Sequence, residues 1–191
     1  MRTVTQKIYS FRELPAEMQK TEFERERGIR VQDDWWYRAR IEDWQARLSE
    51  AGYKNPRILF SGFGSQGDGA CFEADIDLVE WLTQRRLSRK YEALNRAAVD
   101  AELDPCLKHR IHSYYPGSTN LDWNYFGDDN KVLQELDQVE ALILEDRDQL
   151  GRQIYRDLEQ DYEWATSDEA IGEELEALGW EFLKNGTRFI E

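Results

Sequence analysis

The sequence predicts an α+β fold: an antiparallel sheet built from two β-hairpins and packed with amphipathic helices, then a long acidic helix and a small terminal hairpin. Three observations predict it. Strand-like runs come in adjacent pairs joined by turn residues, not singly between helices, and this favours antiparallel pairing. Apolar residues recur at helical spacing in the flanking stretches. Aromatic residues make up 13% of the 191 positions and include seven tryptophans, so a chain only 40% hydrophobic still has large side chains to bury. The length suits one compact domain. Within it, residues 1–130 read as the α+β core and 131–191 as an acidic helical segment with the terminal hairpin.

Each element has a local reason. Pro15 sits in the first turn of a helix running to about Arg27, and Gly28 ends it. Asp33 or Asp34 caps a second helix whose apolar positions are Tyr37, Ile41, Trp44 and Leu48, with Gly52 placed just past its C-cap. Asn55-Pro56 is expected to break the chain before a strand at 57–63. A glycine-rich loop over 64–69 leads to a second strand at 70–76, completing the first hairpin. Asp77 caps a third helix through Trp81, Tyr91 and Leu94 to about Ala98. Residues 107–115 and 121–126, joined by a turn at 116–120, make the second hairpin.

From Lys131 to about Trp164 the pattern is helical. Leu136, Val139, Ile143, Leu150, Ile154, Leu158 and Tyr162 form one stripe, and Gly151 is expected to bend or divide it. Thr166-Ser-Asp-Glu169 reads as a capping box for a short helix ending before Gly179. Asn185-Gly186 then turns the terminal hairpin.

Charge is unevenly placed along the chain. Residues 1–120 hold 19 acidic and 19 basic side chains, whereas the last 71 hold 20 acidic and six basic, so the whole net charge of −14 lies there. Phosphate backbones would be repelled by that half, which argues against direct nucleic-acid binding by it; a solvated face that aids solubility and a protein partner with a basic surface are the two readings it permits. No apolar run approaches the ~20 residues that cross a bilayer. The start carries no apolar signal-peptide core, and the two cysteines make no disulfide framework. A cytoplasmic protein without a membrane or cofactor is expected; homo-oligomerisation is left open.

Several motifs invite chemistry and fall short of it. Gly62-Phe-Gly64-Ser-Gln-Gly67 follows a strand, as a dinucleotide fingerprint does, but no helix starts there to meet a pyrophosphate. Asp68 stands where a phosphate-binding lysine would be needed. Ser65, Gln66 and Asp68 nevertheless gather polar groups at a loop tip, where sites often occur. His109 and His112 lie three apart on an expected strand and so face opposite ways. Neither is paired with an identifiable nucleophile, and Cys71 reads as a small buried hydrophobe. No zinc or calcium ligand spacing is present, so no metal is expected. Trp35-Trp36 opens an amphipathic helix; core packing is the expected role of the pair, and an interface anchor with one ring outside the core is the alternative.

The segment Phe60-Ser-Gly-Phe-Gly-Ser-Gln-Gly-Asp-Gly-Ala-Cys-Phe72 resembles a loop that recurs in small phage and prophage proteins. Tyr162-Glu-Trp-Ala-Thr-Ser-Asp-Glu-Ala-Ile171, followed by a short helix and a Trp/Phe hairpin, is similar to the C-terminal part of the same proteins. The resemblance implies a viral origin and a role in controlling or resisting the host. It carries no catalytic residue across.

The expected function is therefore a phage-encoded, non-catalytic binding protein acting in the host cytoplasm. It would inhibit a host factor such as a nucleic-acid-handling defence complex of the CRISPR or restriction type. Carboxylates at i, i+3, i+4 and i+7 of a helix lie ~5–10 Å apart, close to phosphate spacing, so the long helix is a candidate charge mimic. Its candidate residues are Glu145, Asp148, Asp157, Glu159, Asp161 and Glu163, beside Trp35 and Trp36. The alternatives are a small enzyme using the Ser65/Gln66/Asp68 loop, or an antitoxin-like partner of one protein.

Overall fold

A computed structural model describes residues 6–190. In chain order the elements are β1 (Tyr9–Ser10), α1 (Ala16–Arg25), α2 (Trp35–Glu50), β2 (Tyr53–Phe60), β3 (Ala70–Ile76), α3 (Leu78–Gln84) and α4 (Glu92–Val99). They continue with β4 (Cys106–His109), β5 (Thr119–Asp122), α5 (Asn130–Ala165), α6 (Asp168–Ala177) and β6 (Glu181–Phe182). This is an α+β fold with a long C-terminal helix and two antiparallel sheets. Among the described residues no helix is long and apolar enough to cross a membrane.

Two compact units make up the chain. The larger is Ala39–Glu159, and the smaller combines the chain up to Arg38 with the chain from Gln160 onward. Their boundaries fall inside α2 and α5.

In the larger unit the sheet runs β2-β3-β4-β5. Along β3, buried Phe72, Ala74 and Ile76 alternate with the more open Glu73 and Asp75, so one face of the sheet enters the core and the other meets water. The core is completed by Leu48, Tyr53, Trp81, Leu82, Leu94 and Leu107, with Val139, Ile143, Ile154 and Leu158 from α5. Those four are members of the stripe read from the sequence. Gly151 does not divide α5, which is continuous. A Cβ there would lie 2.9 Å from the Ala70 carbonyl oxygen and 3.0 Å from Pro116 Cβ. The glycine therefore lets β3 and the 3-10 turn at Pro116–Ser118 approach the helix.

Three expectations for this unit are corrected. Asn55-Pro56 does not break the chain but forms a bulge inside β2: Lys54 pairs with Asp75 and the ladder resumes at Arg57↔Glu73, leaving one extra residue on β2. Asn55 absorbs it at φ 50°, and proline, which has no amide to give, fits where pairing lapses. The helix expected from Asp77 to Ala98 is two helices. Asp77 Oδ1 does cap α3 by accepting from Glu80 N at 2.9 Å, but Arg86 at φ 59° ends it before α4 begins. The second hairpin is shorter than its sequence pattern, because β4 stops at His109 and residues 110–118 form the connection.

The smaller unit has its own core of Phe11, Leu14, Ile171, Leu175 and Phe182, flanked by Tyr9, Met18, Phe23, Ile29 and Trp180. The terminal hairpin forms with one bridge, Phe182↔Arg188, and with Leu183 N donating to Thr187 O at 2.8 Å. Its other side pairs with β1 (Tyr9↔Phe182, Ser10↔Glu181). Helix α6 is capped by Ser167, whose Oγ accepts from Ala170 N at 3.2 Å; Thr166, the expected cap, donates its hydroxyl to Tyr162 O instead.

Candidate functional site

The loop joining β2 to β3 is ordered by its own groups. Ser61 and Gly69 close its base, with Ser61 N donating to Gly69 O and Gly69 N to Ser61 Oγ, both at 3.1 Å. Asp68 Oδ2 accepts from the amides of Gly64 (3.0 Å) and Ser65 (2.7 Å), and these bonds hold its carboxyl below the usual carboxylate range. The amides a bound phosphate would need are thus occupied by the chain's own carboxylate. The Phe63 ring lies 6.0 Å from Phe60 and 5.4 Å from Tyr155, and the Tyr155 hydroxyl donates to Gly62 O. Ser65 and Gln66 stand exposed at the tip.

Asp68→Ala is accordingly expected to speed amide hydrogen exchange at Gly64 and Ser65 while leaving the thermal midpoint near the parent's. Acidification should act the same way. The folded-state pKa is lowered, so the carboxylate's contribution is present above the ordinary carboxylate value and is lost as pH falls through the lowered one. Unchanged exchange at those amides in the variant would show that Asp68 does not order the loop.

Other titratable candidates are held in structural roles. Cys71 is fully buried in β3, and burial pushes its thiol pKa up. His109 closes β4 with Nε2 2.8 Å from Ser113 O and its ring 5.1 Å from Tyr114. His112 lies beyond the strand, in the connection. Among the described residues no group of three or more His, Cys, Asp or Glu side chains is placed to hold a metal ion.

The carboxylates of α5 divide into two sets. Asp157 Oδ2 accepts from Trp44 Nε1 at 3.0 Å, with Arg40 3.9 Å and Arg47 4.0 Å away. Asp148 accepts from Arg147 Nε at 2.8 Å. Glu159 and Asp161 are half-buried, and Glu159 helps raise the Tyr155 pKa behind the larger effect of burial. Glu145 and Glu163 are exposed, but exposed Arg152 and Arg156 lie along the helix between them. Solvent therefore does not meet one continuous acidic stripe on α5.

The charge asymmetry of the sequence also shrinks on folding. The chain's two ends meet in the smaller unit, which holds 16 acidic and 10 basic residues. Arg12, Arg27 and Arg30 pair there with Glu176, Asp168 and Glu174.

Sequence reasoning missed Asp146. Its Oδ2 accepts from the Tyr53 hydroxyl at 2.6 Å and Trp81 Nε1 at 3.2 Å, and it pairs with Arg85. The signal was its place three residues after Ile143, on the apolar stripe, where an acid needs partners.

The surface of the smaller unit carries the two predicted aromatic residues. Asp33 Oδ1 accepts from Trp35 N at 3.0 Å and opens α2. Adjacent residues on a helix point about 100° apart, so Trp35 and Trp36 cannot both turn inward. Trp36 lies edge-on to Tyr37 (5.1 Å) and to Tyr162 (5.7 Å) near the end of α5. Trp35 remains 70% exposed, with the Arg38 guanidinium 4.3 Å from its ring centre. Two residues beyond Tyr162, Trp164 is 53% exposed and has Arg30 4.5 Å over its ring.

Fold and surface together define an α+β domain presenting exposed indoles stacked with arginine. Residues 35–168 match the model of a family described as a domain of unknown function, DUF8835, and the chain belongs to that family. The matched stretch includes Trp35, the β2–β3 loop and Trp164. No curated protein and no solved structure matches the chain.

Proposed function

We propose that this chain is a non-catalytic binding protein that docks on a host protein through the Trp35–Trp36–Arg38 and Tyr162–Trp164 surface and thereby inhibits it. A phage origin accords with the resemblance of its loop and C-terminal segment, and the host factor is a nucleic-acid-handling defence complex in the host cytoplasm. The observation that carries the reading is the 70% exposure of Trp35. Leaving so large an apolar ring in water forgoes a burial worth about 1.5–3 kcal/mol for even a smaller apolar side chain, and Trp, Tyr and Arg are the residue types that dominate protein–protein hot spots. Exposed Glu163, Glu169 and Glu173 belong to the same unit and suit steering toward a basic partner surface. Here the acids assist association, and the aromatic contacts hold the complex.

Affinity capture from a bacterial host lysate on the immobilised full chain tests this. One component should be retained by the parent chain and by Phe126→Ala, a control at a residue of the larger unit that is 79% exposed. Trp35→Ala should weaken its capture by about thirtyfold, the effect of a hot-spot loss of about 2 kcal/mol. Added salt should slow association. Equal capture by Trp35→Ala and the parent would remove this surface from the function.

A further inference from the structure

We infer that the Trp35–Arg38 pair receives a carboxylate of the partner protein, an aspartate or glutamate side chain with an apolar neighbour. This rests on the docking surface proposed above and names what its centre recognises.

Five of the seven tryptophans carry an arginine guanidinium over the ring. Cation–π contacts of all kinds occur about once per 70–80 residues, so five such pairs in this chain mark a repeated arrangement. In three of them a carboxylate completes the set. Arg47, over Trp44, lies 3.6 Å from Asp43 and 4.0 Å from Asp157. Arg85, over Trp81, pairs with Asp146. Arg30, over Trp164, lies 3.8 Å from Glu174. The order is indole, guanidinium, carboxylate.

Trp35 and Arg38 supply the first two members without the third. Among the described residues no carboxylate forms an ion pair with Arg38. Of the acids preceding Arg38, Asp33 accepts from Trp35 N and Asp34 is bonded to the Tyr37 hydroxyl; Glu42, one turn further along α2, is exposed. Arg188, over Trp180, likewise forms no ion pair among the described residues, but Trp180 packs against the core of the smaller unit and offers no open apolar ring beside it. Among the described residues, only at Trp35 does a guanidinium without an ion pair lie beside a widely exposed indole.

The chemistry follows from that placement. A guanidinium held against a ring has lost part of its freedom already, and it presents donors in a fixed fork that matches a carboxylate bidentately. The open indole supplies apolar contact for a neighbouring side chain and excludes water from the ion pair. A phosphate fits the same fork. A nucleic acid, however, brings a line of charges toward a chain of net charge −14, whereas a protein brings one carboxylate on a surface otherwise free to be basic.

The test titrates the full-length chain with acetyl-Leu-Glu-amide and acetyl-Leu-Gln-amide while NMR follows Arg38 Nε–H and Trp35 Nε1–H. The glutamate peptide should shift both signals saturably, and the glutamine peptide should bind about tenfold more weakly. Arg38→Gln should abolish the preference, and Arg188→Gln should preserve it. No saturable shift, equal shifts with both peptides, or tighter binding of a single-stranded oligonucleotide at the same two signals would each overturn the inference. Failure of the wider reading looks different. If Trp35→Ala loses the captured host protein while Arg38→Gln keeps it undiminished, the docking surface stands and the carboxylate is wrong. If the glutamate peptide binds as expected but Trp35→Ala still captures the host protein, the carboxylate preference stands and the docking role fails.

Discussion

Trp81→Ala will lower the stability of the chain by about 3–5 kcal/mol, a large part of the 5–15 kcal/mol typical of a folded domain. The indole is fully buried, and its removal leaves a cavity in the core. Its Nε1–H also donates to the Tyr53 hydroxyl at 3.1 Å and to Asp146 Oδ2 at 3.2 Å, while Arg85 covers its face at 4.2 Å. Tyr53 is itself fully buried, and burial raises its hydroxyl pKa well above the usual range, so it depends on its remaining bond to Asp146. Trp81→Phe separates the two contributions, because it keeps most of the packing and removes the donor; about 1–2 kcal/mol is expected from it. Urea unfolding followed by circular dichroism measures both. The midpoint should fall with the slope unchanged, and a loss below about 1 kcal/mol for the alanine variant would show that this node does not hold the larger unit together.

Gly52→Ala will cost about 2–4 kcal/mol although it adds a single methyl group. Gly52 follows α2 at φ +94°, a conformation that favours glycine. A Cβ there would also lie 2.8 Å from Trp81 N and 3.0 Å from Trp81 Cα, which are backbone atoms and cannot swing aside. Its carbonyl accepts from Asp77 N at 2.9 Å, so a shift of the turn would disturb the start of α3 as well. Gly179 provides the control. It too has positive φ (+62°) but no neighbour within 4 Å of an added Cβ, so Gly179→Ala should show only the backbone cost of about 1 kcal/mol. Thermal unfolding of the two variants side by side decides the matter: equal losses would mean that the close approach to Trp81 contributes nothing.

Local chemistry made much of this fold legible. The i, i+4, i+7 pattern of α2, the glycine after it, the Asp77 cap and the stripe of α5 each belong to one element and report its period or its end. The Trp35-Trp36 pair was legible as a choice between core packing and an exposed anchor, and the 70% exposure of Trp35 came only with the structure. The fold class was therefore determined by the sequence alone.

What the sequence could not show is which polar tip meets which. Asp157 looks like one more surface acid until Trp44 and Arg47 are found against it, and Asp146 is half-buried as the acceptor that Tyr53 and Trp81 share. The pairing of β1 with β6 joins residues from opposite ends of the chain, and no local period encodes it. The same meeting of the ends sets three arginines of the first half against acids of α6 and reduces a charge imbalance that looks absolute along the sequence. Helix caps and apolar periods act over a few residues and are written there. Hydrogen-bond partners and ion pairs depend on distance in space, so the commitment of Asp146 and Asp157 and the unpaired state of Arg38 were decided only by the tertiary structure.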